Sequence, residues 1–262
     1  MNDVEITVLM SVYNTPREQL KLAIESILNQ TYTEFEFLII GDGIKKEDIE
    51  FIKSYQDKRI KLEINNQNIG LIKSLNKGIK IARGKYLARM DTDDIAYPDR
   101  LEKQIKFMKK HSEYAIVSGR ADFFDESGIY GTSKIYGEIQ KKDVFKSNPC
   151  IHPTMLINKN VIQEIGGYPN FLRCEDYAMI MQMLASGKRI YVLEDILLKY
   201  RMDKQGYKKK KFKDRFTEVR MKFIYFRKLH ANIGQYLFIF KPILAGLIPS
   251  KIMQIYLKHK IR

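Results

Sequence analysis

The chain has 262 residues, 45% of them hydrophobic and 29% charged, which reads as a globular protein with room for one large α/β domain or a medium domain with an appendage. Two cysteines, Cys150 and Cys174, exclude a disulfide framework, and neither has a partner at zinc-ligand spacing, so both are expected as neutral thiols in a reducing cytoplasm. The net charge of +15 sits at one end: residues 204–262 hold sixteen Lys and Arg against Asp214 and Glu218, while residues 1–203 are nearly balanced.

The opening Met1–Ile6 lacks a basic stretch followed by an apolar run, so no secretory signal is expected. A first strand is predicted over Ile6–Met10, a loop over Ser11–Pro16, and a helix over Arg17–Asn29 with Leu20, Ile24, Ile27 and Leu28 on one face. A second strand, Phe35–Ile40, runs into Gly41-Asp42-Gly43, where both glycines are expected to supply unusual backbone angles. Alternation continues over Ile60–Ile64, followed by a helix from about Ile69 to Ala82 closed by Gly84 in a C-cap role. Strand Lys85–Met90 then leads into Asp91-Thr92-Asp93-Asp94.

Strand-helix-strand-helix-strand order predicts a parallel α/β sheet. Ligands of such sheets sit beyond the carboxyl ends of the strands. The loops Ser11–Pro16, Gly41–Gly43 and Asp91–Asp94 should therefore meet on one edge. Further on, Ala115–Arg120 is a strand, Cys150–Ile157 an apolar stretch, Lys159–Ile165 a short helix, Glu175–Ser186 a helix, and Arg189–Tyr200 one strand or two. From about Lys204 the composition turns basic and helical. The longest weakly charged apolar run, Ile233–Pro249, is interrupted by Lys241 and Pro242 and falls short of the ~20 residues of a membrane span.

Three acidic features could carry chemistry. Asp91, Asp93 and Asp94 place three carboxylates within four residues, which repel unless a cation lies between them, and hard oxygen ligands suit Mg²⁺ or Mn²⁺. A solvated loop, with one aspartate capping the helix that starts near Pro98, fits the same residues. Asp42 is a turn residue or an acceptor for a nucleobase or ribose. Glu175-Asp176 opens a helix either as its cap or, through Asp176, as a general base.

Taken in order, Val8–Asn14, Ala23–Tyr32, Asn68–Leu71, Leu75–Ile79, Ala82–Asp94, His152-Pro153-Thr154, Ile165–Tyr168, Glu175–Tyr177 and Leu198–Arg201 resemble family 2 glycosyltransferases of the GT-A fold. Those most similar are bacterial enzymes that build capsular, exopolysaccharide or lipopolysaccharide chains. The resemblance covers roughly residues 5 to 203. It implies a Rossmann-like, mainly parallel central sheet flanked by helices, with residues 1–203 as the transferase domain and residues 204–262 as a basic helical appendage.

By the same resemblance, Ser11, Tyr13 and Asn14 line a nucleotide pocket. Asp42 contacts uracil, with Gly41 standing where a second aspartate is usual. Lys73 approaches the base or phosphates, and the acidic cluster is a DxD motif. Asp93 ligates Mn²⁺ or Mg²⁺, Asp91 contacts ribose or a metal-bound water, and Asp94 is an alternate ligand. Asp176 is the catalytic base, while Glu175 and His152 lie on the acceptor side. Asp203 replaces a histidine usual near the metal. The implied reaction moves a hexosyl or N-acetylhexosaminyl unit from a nucleoside-diphosphate sugar, UDP-sugar by preference, to a hydroxyl of a lipid-linked glycan, with inversion.

In the basic end, lysines interleave with Phe212, Phe216, Phe223, Ile224, Tyr225 and Phe226, with Tyr236–Phe240 and with Ile252, Ile255 and Tyr256, the pattern of an interfacial segment on an anionic membrane; a helical cover packed on the domain with a solvated basic face fits the same residues. The expected place is the cytoplasm, on the inner membrane face, with no nucleic-acid partner because no nucleic-acid module accompanies the charge. Two other readings stand beside this one. A nucleotidyltransferase would need a glycine-rich basic loop in place of Ser11–Pro16. A degenerate membrane-binding protein has Gly41 and Asp203 in its favour.

Overall fold

The computed structural model describes residues 4–202 and 212–248. Within them the chain runs β1 (Ile6–Val12), α1 (Arg17–Leu28), β2 (Phe35–Asp42), α2 (Lys46–Ser54), β3 (Ile60–Asn65), α3 (Leu71–Ile81), β4 (Tyr86–Met90) and β5 (Ile95–Ala96). It continues with α4 (Arg100–Lys110), β6 (Tyr114–Asp125), β7 (Gly128–Thr132), β8 (Gly137–Glu138), a 3₁₀ turn at His152–Thr154, β9 (Leu156–Asn158), α5 (Lys159–Glu164), α6 (Glu175–Ala185) and β10 (Arg189–Arg201). The basic end forms α7 (Phe212–Lys228), α8 (Ile233–Tyr236), a 3₁₀ turn at Leu237–Ile239 and α9 (Lys241–Leu247).

The strands form one sheet in the order β3-β2-β1-β4-β9-β6-β10-β5, with β7 beside β6 and β8 beside β10. The first four run parallel. Short β9 is antiparallel to both β4 and β6, and β6 and β10 are again parallel. Every residue of β2 and β4 is buried, as expected for strands covered on both faces. Edge strand β3 alternates exposed and half-buried positions.

Successive side chains of one strand point to opposite faces. Val8 and Met10 therefore join one core with Leu20, Ile24 and Ile27 of α1, Ile52 of α2 and Leu101, Ile105 and Met108 of α4. Leu9 joins the other with Leu75 and Ile79 of α3, Ile162 of α5 and Met179, Ile180 and Met183 of α6. The result is three layers, helix-sheet-helix.

The basic end is part of this packing. Met221, Tyr225 and Phe226 of α7 belong to the second core, as do Leu229 and Ile239, so Tyr225 and Phe226 face the core and not a membrane interface as the sequence pattern suggested. Phe226 is fully buried and meets Phe145 edge to face at 4.8 Å. Tyr225 Oη donates to Gln182 Oε1 of α6 at 3.0 Å. Burial of each such side chain contributes about 1.5–3 kcal/mol, so α7 is anchored to the α/β body despite its charge.

Two glycine expectations are corrected. Gly84 does not cap α3, which ends at Ala82 in extended backbone. Gly84 is needed because a Cβ there would come within 2.4 Å of Thr7 N, and its own N–H donates to Thr7 Oγ1 at 2.8 Å. Of the pair around Asp42, only Gly43 has positive φ, at +70°, and a Cβ on it would meet Asn68 N at 2.4 Å. The expected cap before α4 is also absent: Asp99 occupies the N-cap position without a side-chain cap bond.

Candidate active site

The chain crosses from β3 at one side of β1 to β4 at the other, so the order reverses between β1 and β4. A crevice opens at such a switch point, beyond the carboxyl ends of the strands. The loops after β1 and β4 meet there through a 2.7 Å hydrogen bond between the hydroxyls of Thr15 and Thr92. Tyr13 and Asn14 lie on the first loop, whereas Ser11, expected on it, is still in β1 and pairs with Ile40 of β2. Tyr13 is 56% exposed, a free aromatic face, and Asn14 takes φ +50°, a left-handed turn that asparagine tolerates.

The acidic cluster is differentiated. Asp91 pairs with the guanidinium of Arg89, itself buried on β4. The Arg201 main-chain N–H donates to Asp94 Oδ1 at 2.8 Å, while Arg201 Nε donates to the Asp93 carbonyl at 2.9 Å. Asp94 is buried, and its Oδ2 has no hydrogen-bond partner among the described residues. Burial, then the charges of Asp91 and Asp93, push its carboxyl well above the usual range. Arg100 is buried against the same turn, donating to the Arg89 carbonyl at 2.7 Å. Desolvation lowers its pKa to about 9.

An orphaned buried carboxylate oxygen among three acids fits a divalent cation, because a cation supplies the missing partner and relieves the repulsion. No three carboxylate, imidazole or thiol groups converge on one point among the described residues. A cation here would take one or two protein carboxylates and complete its shell with water and phosphate oxygens, the habit of Mg²⁺.

Asp42 has the opposite environment. It is 1% exposed, yet its Oδ1 accepts from Ile69 N and Asn65 Nδ2 at 2.9 and 3.0 Å, and its Oδ2 accepts from Gly70 N at 2.9 Å. It holds the turn before α3. Lys73 is exposed on α3. One turn on, Lys77 Nζ donates to Asn65 Oδ1 at 2.9 Å and is the lysine beside the Asp42 cluster.

Across the crevice, α6 opens at the N-cap Cys174 with Glu175 and Asp176 in its first turn, where the helix dipole favours negative charge. Asn148 Nδ2 donates to Asp176 Oδ2 at 2.8 Å. Arg173, just before the cap, has φ +69°. A cavity of about 400 Å³ gathers Asp91, Asn148, His152, Glu175, Asp176 and Tyr200 around one space. Burial, then the neighbouring Asp176, raises Glu175 to about 7. His152 shares a 2.8 Å hydrogen bond with Tyr168 Oη, and burial followed by the Arg89 charge lowers it to about 3, so it is neutral. Burial and the surrounding aspartates hold the Tyr200 phenol well above its ordinary value.

A larger groove of about 1240 Å³ lies at the opposite edge, between Val4 and Asn160. Its charges are largely spent on one another, as in the Arg83–Glu36 and Arg59–Asp57 pairs, so it is not the reaction site.

The structure thus brings Asp91, Glu175, Asp176 and His152 to one cavity and places Asp93 and Asp94 in the turn that follows Asp91. Lys73 is not among the residues lining that cavity, and Asp203 lies outside the described residues. Sequence reasoning assigned nothing to Asn148, Tyr200 or Arg201. The last two stood inside a family motif, which was the available signal.

Comparison with known proteins agrees with this geometry. The family described as Glycosyl transferase family 2 matches residues 7–166. An uncharacterized glycosyltransferase of Methanocaldococcus jannaschii is 37% identical over 204 residues, covering 75% of this chain and 70% of that protein. The amylovoran biosynthesis glycosyltransferase AmsE of Erwinia amylovora is 31% identical over 202 residues, covering 74% and 75%. Among solved structures, S. aureus TarS 1–349 in complex with UDP-GlcNAc superimposes with a TM-score of 0.71 at 15% identity, covering 93% of this chain and 71% of that one. The mannosyltransferase PcManGT of Pyrobaculum calidifontis, in complex with GDP-Man and Mn²⁺, gives 0.64 at 15% identity, covering 96% and 79%. The fold is the GT-A fold that the sequence motifs imply.

Proposed function

The chain belongs to glycosyltransferase family 2, and from that premise we propose that it is a metal-dependent, inverting hexosyl- or N-acetylhexosaminyl-transferase of surface polysaccharide synthesis. The observation that carries the reading is the single cavity faced by Asp91 from the end of β4 and by Asp176 from the start of α6. One wall suits a diphosphate; the other suits a proton acceptor.

In this reading the donor is a nucleoside-diphosphate sugar. Its base lies against Tyr13 and Asn14, in a pocket whose far wall is the turn held by Asp42 and the Asn65–Lys77 pair. A uridine nucleotide is the first choice: the solved relatives carry UDP-GlcNAc in one case and GDP-Man in another. Asp91, kept in place by Arg89, faces the ribose or the water around the cation. Asp93 and Asp94 are the carboxylates that would hold Mn²⁺ or Mg²⁺, Asp94 because its buried Oδ2 has no other partner. When bound, the cation supplies Lewis-acid stabilisation of the departing diphosphate.

Asp176 acts as general base. An acceptor hydroxyl gives its proton to Asp176 as its oxygen bonds to the anomeric carbon, and the bond from that carbon to the diphosphate oxygen breaks. One displacement inverts the anomeric configuration. Asn148 fixes one carboxylate oxygen of the base through a 2.8 Å hydrogen bond. Glu175, Tyr200 and neutral His152 line the acceptor side. The acceptor is a hydroxyl of a growing glycan, a reading supported by the amylovoran relative.

Incubation with a panel of nucleotide sugars, Mn²⁺ and a glycan acceptor tests the proposal. The expected products are a nucleoside diphosphate and a glycoside of inverted configuration. Release of pyrophosphate would point instead to nucleotidyl transfer, and retained transfer by Asp176→Asn would remove the assigned base.

A further inference from the structure

Among the described residues of the basic end, one face is buried in the core and the other carries exposed apolar side chains. Ile233, Leu237, Phe240, Leu244 and Leu247 recur at spacings of four, three, four and three residues, on backbone that stays right-handed through Tyr236, Leu237 and Phe240. They are 90%, 72%, 57%, 62% and 68% exposed, whereas Ile239 and Pro242 between them are buried. Phe216 and Phe223 of α7 are exposed too, interleaved at helical spacing with exposed Arg220 and Arg227. Phe223 meets Tyr236 edge to face at 6.4 Å, so the two helical faces adjoin. A contiguous apolar patch of this kind marks an interaction surface.

The patch belongs to a segment with sixteen Lys and Arg against two acids. Its partner must accept apolar side chains and carry negative charge. That combination describes an anionic bilayer surface, into whose headgroup boundary an amphipathic helix lays its apolar face. No helix among the described residues is long and apolar enough to cross a membrane, which is consistent with a segment that lies on the surface.

We infer that the stripe from Ile233 to Leu247 docks the protein on an anionic lipid surface and thereby sets the acceptor side of the crevice against it. The physical link runs through residues 145–148. Lys241 Nζ of α9 donates to the Lys146 carbonyl at 2.9 Å, Phe145 packs on Phe226 of α7, and Asn148 holds Asp176. The lipid-facing helices are therefore braced on the short segment that orients the proposed base. This rests on the transferase reading only for the acceptor, a glycan whose lipid anchor stays in the bilayer while its hydroxyl reaches Asp176.

The test uses the full chain and flotation with vesicles of phosphatidylglycerol mixed with phosphatidylcholine, or of phosphatidylcholine alone. Wild type should float with the mixed vesicles, bind pure phosphatidylcholine at least about tenfold more weakly, and release as salt rises. The double variant Leu237→Gln/Leu244→Gln should lose at least about tenfold in vesicle affinity, with an unchanged melting temperature because both side chains are exposed. Absence of wild-type binding, or unchanged binding by the double variant, would overturn the inference. So would a wild-type dimer in solution that the double variant makes monomeric, since a second copy would then cover the stripe. Stabilisation by UDP with Mn²⁺, measured on the same samples, reports the donor site separately. If it fails while vesicle binding persists, the transferase reading falls and the docking surface stands.

Discussion

Asp42 and Asp94 close neighbouring regions of one sheet edge, the first at the end of β2 and the second just beyond β4. Both are 1% exposed. Asp42 accepts three hydrogen bonds, two of them from the backbone of the turn it braces. Among the described residues Asp94 accepts one, from Arg201 N, and keeps a buried oxygen with no partner. Burial alone does not separate a scaffold carboxylate from one held ready for a ligand, whereas hydrogen-bond satisfaction does. In the proposed reading the fold needs the first and the chemistry needs the second.

The contrast can be broken by mutation. The largest effect should fall on catalysis: Asp94→Asn and Asp176→Asn should each lower the transfer rate by about a thousandfold or more, read as nucleoside diphosphate released under saturating donor. Asp42→Ala should act on stability instead. It strands the Ile69 and Gly70 N–H groups and should lower unfolding free energy by about 3 kcal/mol, measured by urea denaturation. In metal-free buffer Asp94→Asn should do the reverse and raise the melting temperature, because it removes a desolvated charge beside Asp91 and Asp93. A melting temperature lowered as far as that of the Asp42 variant would erase the distinction.

Glu175 sharpens the comparison through pH. Its carboxyl ionises near 4.5 in the unfolded chain and near 7 in the fold, where burial and Asp176 oppose its charge. Between those values the unfolded state holds fewer protons, so stability falls as pH rises through the window and levels off above it. Glu175→Gln should flatten that slope, which amounts to up to about 3 kcal/mol, in denaturation curves taken from pH 4.5 to 8. The smallest effect concerns α3. Lys73→Ala should leave nucleotide affinity within about twofold, while Lys77→Ala, which removes the cation bonded to Asn65, should weaken it more.

Much of this was legible in the sequence. Strands β1, β2 and β4 are mostly apolar, and their ends had to meet at the switch point. Helix α4 was legible only at its start near Pro98, because its buried face includes Arg100 and Gln104, which break the apolar stripe. Arg100 is tolerated there because its guanidinium reaches Gln104, the Arg89 carbonyl and Met90 Sδ. Helix α2 buries only Ile52, too little for a periodic signal. Asn148 lies in a segment without pattern, and only the folded chain places it against Asp176. The composition turns basic at residue 204, but the aromatic residues that bind α7 to the core look no different in sequence from those left exposed.

The central claim is that the acidic turn after β4 holds a diphosphate through a divalent cation. Calorimetric titration of UDP into the protein, with Mn²⁺ and then with excess EDTA, measures it most directly, with Asp94→Asn and Asp42→Asn in parallel. The account predicts binding that requires Mn²⁺, is lost in Asp94→Asn, and survives in whatever fraction of Asp42→Asn remains folded. Equal UDP affinity in EDTA, or undiminished metal-dependent binding by Asp94→Asn, would contradict it.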